Sequence, residues 1–371
     1  MRRLMAALSP RQREIIVALA APAVLGCALL TGEATLRIEQ YRHFGSAAPV
    51  EVAVDRNIWE FAGERRRPRP NAAMGRIRFS DQGFRGESVA MPKPPGVIRI
   101  AFLGPSTVLD HYAHDEAQSW PAIAVAQLRK AYPGCRFDFI NAGMPGYDLR
   151  AVEDRFVEDT LALRPDVAIF QGTDMTSRAR QHIKARGGDS SPYRPSWFAR
   201  HSYLWRKIEV NLVAQRLLRI AARSDLAMRL DLPAMLAGLA PETEHLLSTA
   251  QQHGVLPVLV ENAFRQRREQ SIDEQLAGGA QRALFLPNVY IADMTEAIYA
   301  YNTVLRDVAA VRATPFIATL DRMPARPNYY IDSTHTTVAG SAALGTIVGD
   351  RLATAPEFTR LVAERGGCGA R

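Results

Sequence analysis

The sequence predicts an α/β fold: three layers, α/β/α, with a parallel sheet in the middle, an N-terminal transmembrane helix in front and a helical insertion within. Two observations predict the sheet. Short apolar runs bounded by turn residues alternate with segments of helical period. The first of them, "VIRIAFLG" at 97–104, is a near-continuous apolar run, as a strand of a parallel sheet covered on both faces is. A third observation, the uncharged stretch Ile15 to Gly32, predicts the membrane helix.

Residues 1–14 carry Arg2, Arg3, Arg11 and Arg13, so the positive-inside rule keeps them cytoplasmic. Residues 15–32, "IIVALAAPAVLGCALLTG", hold no charge; as a helix they reach roughly 27 Å, close to the hydrocarbon thickness of a bilayer. A cleaved signal peptide and a lipoprotein signal ending at "VLGC", with Cys27 acylated, compete with an uncleaved anchor. The anchor accounts best for apolar residues continuing past Cys27 to Leu30. Residues 33–95 read as a stalk and lead-in, with the basic, proline-broken "ERRRPRPNAAMGRIRF" and the turn-rich "FSDQGFRGE" and "MPKPPG".

The main domain, 96–355, follows. Strands are expected at 97–104, 136–143, 165–172, 255–262 and 289–294, with helices at 119–132 and 148–164. The rhythm fails over the insertion, 173–240, which is too long for a simple connection. Its Trp197, Phe198, Tyr203 and Trp205 form either the small core of that insertion or a surface for a partner. A helical run, "TVAGSAALGTIVGDRLA", closes the domain, and 356–371 reads as a C-terminal tail.

Composition bounds the chemistry. The 371 residues are 47% hydrophobic, enough for a sizeable core, and the net charge is +8. With a pI near 9.6 the neighbours are an anionic membrane or an acidic polymer. No zinc-finger spacing or basic stripe interleaved with aromatics occurs, so nucleic acid is not expected. The cysteines Cys27, Cys135 and Cys368 make no metal set; a Cys135–Cys368 bridge needs an oxidising compartment. His111 and His114 lack a third ligand at metal spacing, so neither metal nor cofactor is expected.

Three expected strand ends carry unusual residues: Gly104-Pro105-Ser106-Thr107, Asn141-Ala142-Gly143 and Gln171-Gly172-Thr173-Asp174. Such ends face the crevice where open α/β sheets bind ligands. Far downstream, "YYIDSTHTTVAG" offers Asp332 and His335. A serine hydroxyl needs a base to become a nucleophile. His335 is that base, Asp332 orients it, and backbone N–H groups of Ser106 and Gly143 are candidate oxyanion donors.

These blocks together resemble the SGNH (GDSL-type) hydrolase superfamily, whose sheet order is flavodoxin-like, and within it the membrane-anchored branch similar to polysaccharide O-acetyltransferases and acetylesterases. The matching positions are Ser106 in "GPST", Gly143 in "NAGMPGY", Asp174 in "GTDM", and Asp332 with His335 in "DSTH". Order and spacing agree over about residues 76 to 355, and "DQGFRG" is similar to the lead-in of anchored members. Two positions depart from the pattern. Pro105 stands where the family has Asp, and Asp174 stands where it has an Asn that donates to the oxyanion. A carboxylate only accepts, and would repel the charge that such a site stabilises. The resemblance implies an esterase or O-acyltransferase acting outside the cytoplasmic membrane on acylated, in particular acetylated, envelope glycan. Asp174, the membrane helix and the aromatic insertion equally suit a weak or inactive accessory subunit of a membrane protein complex.

Overall fold

A computed structural model describes residues 9–44, 57–62, 65–172, 175–189 and 191–365. In chain order the elements are α1 (Pro10–Phe44); the short strands β1 (Trp59–Ala62), β2 (Arg65–Pro68), β3 (Ala73–Met74) and β4 (Ile77–Arg78); then β5 (Val97–Leu103), α2 (Ser106–Leu109), α3 (Trp120–Ala131) and β6 (Arg136–Asn141). Next come α4 (Leu149–Arg155), β7 (Val167–Phe170), α5 (Met175–Ala185), α6 (Trp197–His201), α7 (Tyr203–Ala221), α8 (Leu232–Leu236) and α9 (Leu239–Gln252). The last are β8 (Leu256–Val260), α10 (Ile272–Phe285), α11 (Ile291–Val311), β9 (Phe316–Ile317), α12 (Val338–Ala353) and α13 (Pro356–Arg365).

The chain divides into two compact units. One comprises residues 1–50 with 194–212, the other 51–193 with 213–371. In the first, Ala18–Arg42 of α1 is long and apolar enough to cross a membrane, with mean hydropathy 1.5 and none of it buried. Trp197, Phe198 and Trp205 are exposed, so the aromatic cluster is a surface and not a core.

In the second unit the central sheet runs β6-β5-β7-β8-β9, every neighbouring pair parallel. Successive side chains of a strand point to opposite faces. From β5, Ile98, Ile100 and Phe102 pack with Trp120 and Leu128 of α3, Val348 of α12 and Phe358 of α13. Ala101 and Leu103 face the other layer, with Val152 of α4, Leu246 of α9 and Ile298 and Leu305 of α11. The chain moves outward from β5 to β6 and then returns across β5 to β7, so the order reverses between β5 and β7. At such a reversal two loops splay apart at the carboxyl ends and leave a crevice.

Two expectations change. The segment 289–294 is not a strand: Tyr290 caps α11, whose buried Ile291, Met294, Ile298, Tyr301 and Leu305 follow the helical period. Six residues of that period look like a short apolar strand. The fifth strand is instead β9, only two residues long. The stretch left as a tail contains α13, whose Phe358 and Val362 are buried against the sheet layer.

α3 and α12 touch through two glycines. A Cβ on Gly345 would lie 2.6 Å from the Trp120 carbonyl, and one on Gly349 2.6 Å from that of Ala124. Alanine favours a helix interior by about 1 kcal/mol over glycine, but overpacking costs about 1–3 kcal/mol per site. Replacing both, Gly345→Ala with Gly349→Ala, is therefore expected to lower the unfolding free energy by a net of about 2 kcal/mol, seen as a lower denaturant midpoint; an unchanged or raised midpoint contradicts the close contact.

Candidate active site

β5 ends at Leu103 and the chain turns through Gly104 and Pro105 into α2, whose first residue is Ser106. Gly104 is required there, because a Cβ would sit 2.4 Å from Val108 Cγ2 and 2.6 Å from the Gln171 carbonyl. The turn presents the Ser106 hydroxyl to the crevice. Its Oγ lies 2.8 Å from Nε2 of His335, a residue 229 positions away. The other ring nitrogen, Nδ1, lies 2.7 Å from Oδ2 of Asp332.

The three-residue spacing of Asp332 and His335 is what lets one carboxylate do two things. Its Oδ1 accepts the backbone N–H groups of Thr334, at 2.8 Å, and His335, at 2.9 Å, closing a tight turn. Its Oδ2 is left for the imidazole. Burial alone would raise the Asp332 carboxyl, but these hydrogen bonds outweigh it and hold the group below the usual carboxylate range. An ionised Asp332 accepts the proton on Nδ1, which leaves Nε2 as an acceptor facing the Ser106 hydroxyl.

The two loops are bolted together beside that contact. Asp110 is buried, with its backbone in the left-handed region at φ 54°. Its Oδ1 accepts from the hydroxyls of Thr336, at 3.1 Å, and Ser341, at 2.9 Å, next to His335 and in α12; its Oδ2 accepts the Trp120 N–H at 2.9 Å. Burial, only partly opposed by these donors, pushes the Asp110 carboxyl up to about 6. Arg85, from the "DQGFRG" lead-in, is buried beneath the same segment. It donates to the carbonyls of Leu109, Asp110 and Ala113 and pairs with Glu116. Trp120 Nε1 donates to the Thr107 carbonyl at 2.8 Å.

Of the expected oxyanion donors, the Ser106 N–H lies in the first turn of α2 and has no acceptor among the described residues. The Gly143 N–H is occupied: it donates to Asn141 Oδ1 at 3.1 Å. What approaches Gly143 most closely is the protein's own backbone. A Cβ there would lie 2.1 Å from the Leu109 nitrogen, so the loop after β6 rests on the backbone of α2. At the end of β7, buried Gln171 accepts the Thr107 hydroxyl at 2.7 Å, joining the third block to the nucleophile turn. Asp174 lies outside the described residues.

The sequence reading gave no role to Asp110, Arg85 or Asn141, although Asn141 stands in the second strand-end block and Arg85 in the "DQGFRG" signature. His111 meets His335 edge to face with ring centroids 4.7 Å apart, and Tyr112 flanks His335 at 5.7 Å. Burial, then the nearby His335, pushes the His111 imidazole down to about 3, so it is a neutral wall and not a second base.

No protein-family model matches the chain, and no curated protein matches it. Solved structures do. One is Axe2, an acetylxylan esterase from Geobacillus stearothermophilus, at 15% identity and TM-score 0.42, over 68% of this chain and 93% of that one. Another is a G-D-S-L family protein from Desulfitobacterium hafniense, at 10% identity and TM-score 0.40, over 68% and 98%. A third is LAE5, an alpha/beta hydrolase enzyme from the metagenome of Lake Arreo, Spain, at 13% identity and TM-score 0.40, over 74% and 97%.

Asp110→Ala strips the acceptor from three buried donors and is expected to cost about 3 kcal/mol or more of stability in denaturant unfolding. The folded protein holds the Asp110 proton to higher pH than the unfolded chain does, from 3.8 up to about 6. Its contribution to stability is therefore fully present below the unfolded value and declines as pH rises through the folded one. Asp110→Asn should flatten that decline in a pH series of melting temperatures; an unchanged slope assigns it to other groups.

Proposed function

We propose that this chain is a membrane-anchored serine ester hydrolase of SGNH type, working outside the cytoplasm on O-acylated envelope glycan. The observation that carries the reading is the continuous relay from Ser106 Oγ through His335 to Asp332, at 2.8 and 2.7 Å. In this reading Ser106 attacks the ester carbonyl as His335 Nε2 takes its proton, and Asp332 stabilises the imidazolium. The Ser106 N–H receives the oxyanion. His335 then protonates the departing sugar oxygen, and the acyl group passes from Ser106 to water or to a second sugar hydroxyl.

The location draws support from the arginines before the apolar run. It draws more from Cys135, which is disulfide-bonded, a state typical of oxidising compartments. Acetylated glycan as the substrate rests on the resemblance carried by the "GPST", "NAGMPGY" and "DSTH" blocks. One observation favours a second reading, an inactive accessory subunit of a membrane complex: the Gly143 amide expected to bind the oxyanion is taken by Asn141.

A fluorophosphonate probe separates the two. The hydrolase labels at Ser106, and Ser106→Ala abolishes both labelling and acetate release from acetylated glycan. Asp332→Asn keeps the fold and lowers kcat by about 100- to 10,000-fold. A well-folded wild-type protein that neither labels nor releases acetate establishes the accessory reading instead.

A further inference from the structure

Residues 194–212 belong to the same compact unit as the N-terminal helix, and the two are joined at one level of α1. Glu33 is the first charged residue after the uncharged run that ends at Gly32. Its carboxylate caps α7: it accepts the Ser202 hydroxyl at 2.9 Å and the N–H groups of Tyr203, at 3.2 Å, and Leu204, at 2.9 Å. One turn on, Arg37 pairs with Glu33 at 2.7 Å and donates to the His201 carbonyl at 3.0 Å. Below them the Leu204 side chain packs where Gly32 has no Cβ, 3.4 Å from where that atom would be. The contact thus sits where the apolar run of α1 gives way to charge.

Beside that level the insertion leaves its largest apolar side chains uncovered. Trp197 is 60% exposed, Phe198 62% and Trp205 48%. On α7, Ile208 at 41% and Leu212 at 63% continue a stripe from Trp205 at i, i+3 and i+7. Phe198 joins the two helices by edge contacts, 5.2 Å to Trp197 and 6.1 Å to Trp205. Charge in the segment is mainly positive: Arg194, Arg200, Arg206 and Lys207 against Glu209, and the Glu209 carboxylate accepts from the N–H and hydroxyl of Ser196.

Tryptophan with aliphatic neighbours and flanking basic residues is the composition that favours the boundary between hydrocarbon and headgroups. We propose that Trp197, Phe198, Trp205, Ile208 and Leu212 seat in the interfacial zone of the lipid bilayer that α1 crosses, with Arg200, Arg206 and Lys207 on anionic headgroups. α6 and the first half of α7 form a second, in-plane attachment beside the span. The proposal rests on the reading of α1 as an uncleaved anchor, and is independent of any catalytic activity.

The full chain is reconstituted in nanodiscs containing phosphatidylglycerol, with lipids brominated either near the headgroup or near the chain end. Of the four tryptophans, Trp59 and Trp120 are 1% and 0% exposed in the α/β unit and report background. Shallow bromines are expected to quench about half of the emission and deep bromines much less. Trp205→Glu combined with Leu212→Glu should release Trp197 from the quencher. A water-soluble maleimide on Cys27, in the middle of the apolar run, reports on the anchor separately. Cys27 shielded with the tryptophans unquenched overturns the interfacial attachment alone. Cys27 freely labelled overturns the anchor and the attachment together.

Discussion

The carboxylate of Asp110 is the constraint on which the rest of the site depends. Ser106 and His335 come from loops more than two hundred residues apart, and a hydrogen bond between two side chains does not hold two loops in place. Asp110 does, by gathering donors from the residue after His335, from α12 and from the start of α3. Because the group is buried, each of those donors would be costly to leave unpaired, so the three elements shift together or not at all. Arg85 fixes the same segment from beneath, through carbonyls. The 2.8 Å contact between Ser106 and His335 is thus a by-product of a polar knot a few residues away.

The sheet supplies the setting. Reversal of strand order between β5 and β7 opens the crevice, and close packing decides what lines it. Gly104 and Gly143 both lack room for a side chain, the first against Val108 and Gln171, the second against the backbone of α2. Both glycines serve the seating of the nucleophile turn, so their presence follows from packing density as much as from any need to admit a ligand.

Much of this was legible from the sequence because the signals are local. The strands at β5, β7 and β8 are mainly apolar runs between turn residues, β6 is a short strand-length segment between turns, and Asp332-x-x-His335 marks a carboxylate and an imidazole on one turn. The remainder was hidden because its causes are not local. Residues 289–294 have the composition of a strand, and only the continuation of their period through Leu305 makes them helix. β9 is two residues long and carries no periodicity. Asp110 reads as one more loop acid until Thr336 and Ser341 arrive, and His111 gains its place through the edge of a ring brought to it from the far end of the chain. The exposure of Trp197 and Trp205 was equally invisible, since an aromatic cluster has the same composition in a core or on a surface.

The hydrogen bond between the Gly143 amide and Asn141 changes what that amide can discriminate. An ester oxygen is neutral, and a neutral acceptor gains nothing by evicting another of equal strength. A negatively charged oxygen accepts an N–H bond roughly twice as strong as a neutral one does. In the proposed reaction at Ser106 the donor would be withheld from the resting ester and released only to the charged tetrahedral species. Latency of this kind favours the barrier top over the bound reactant, which is the condition for raising turnover and not merely tightening capture.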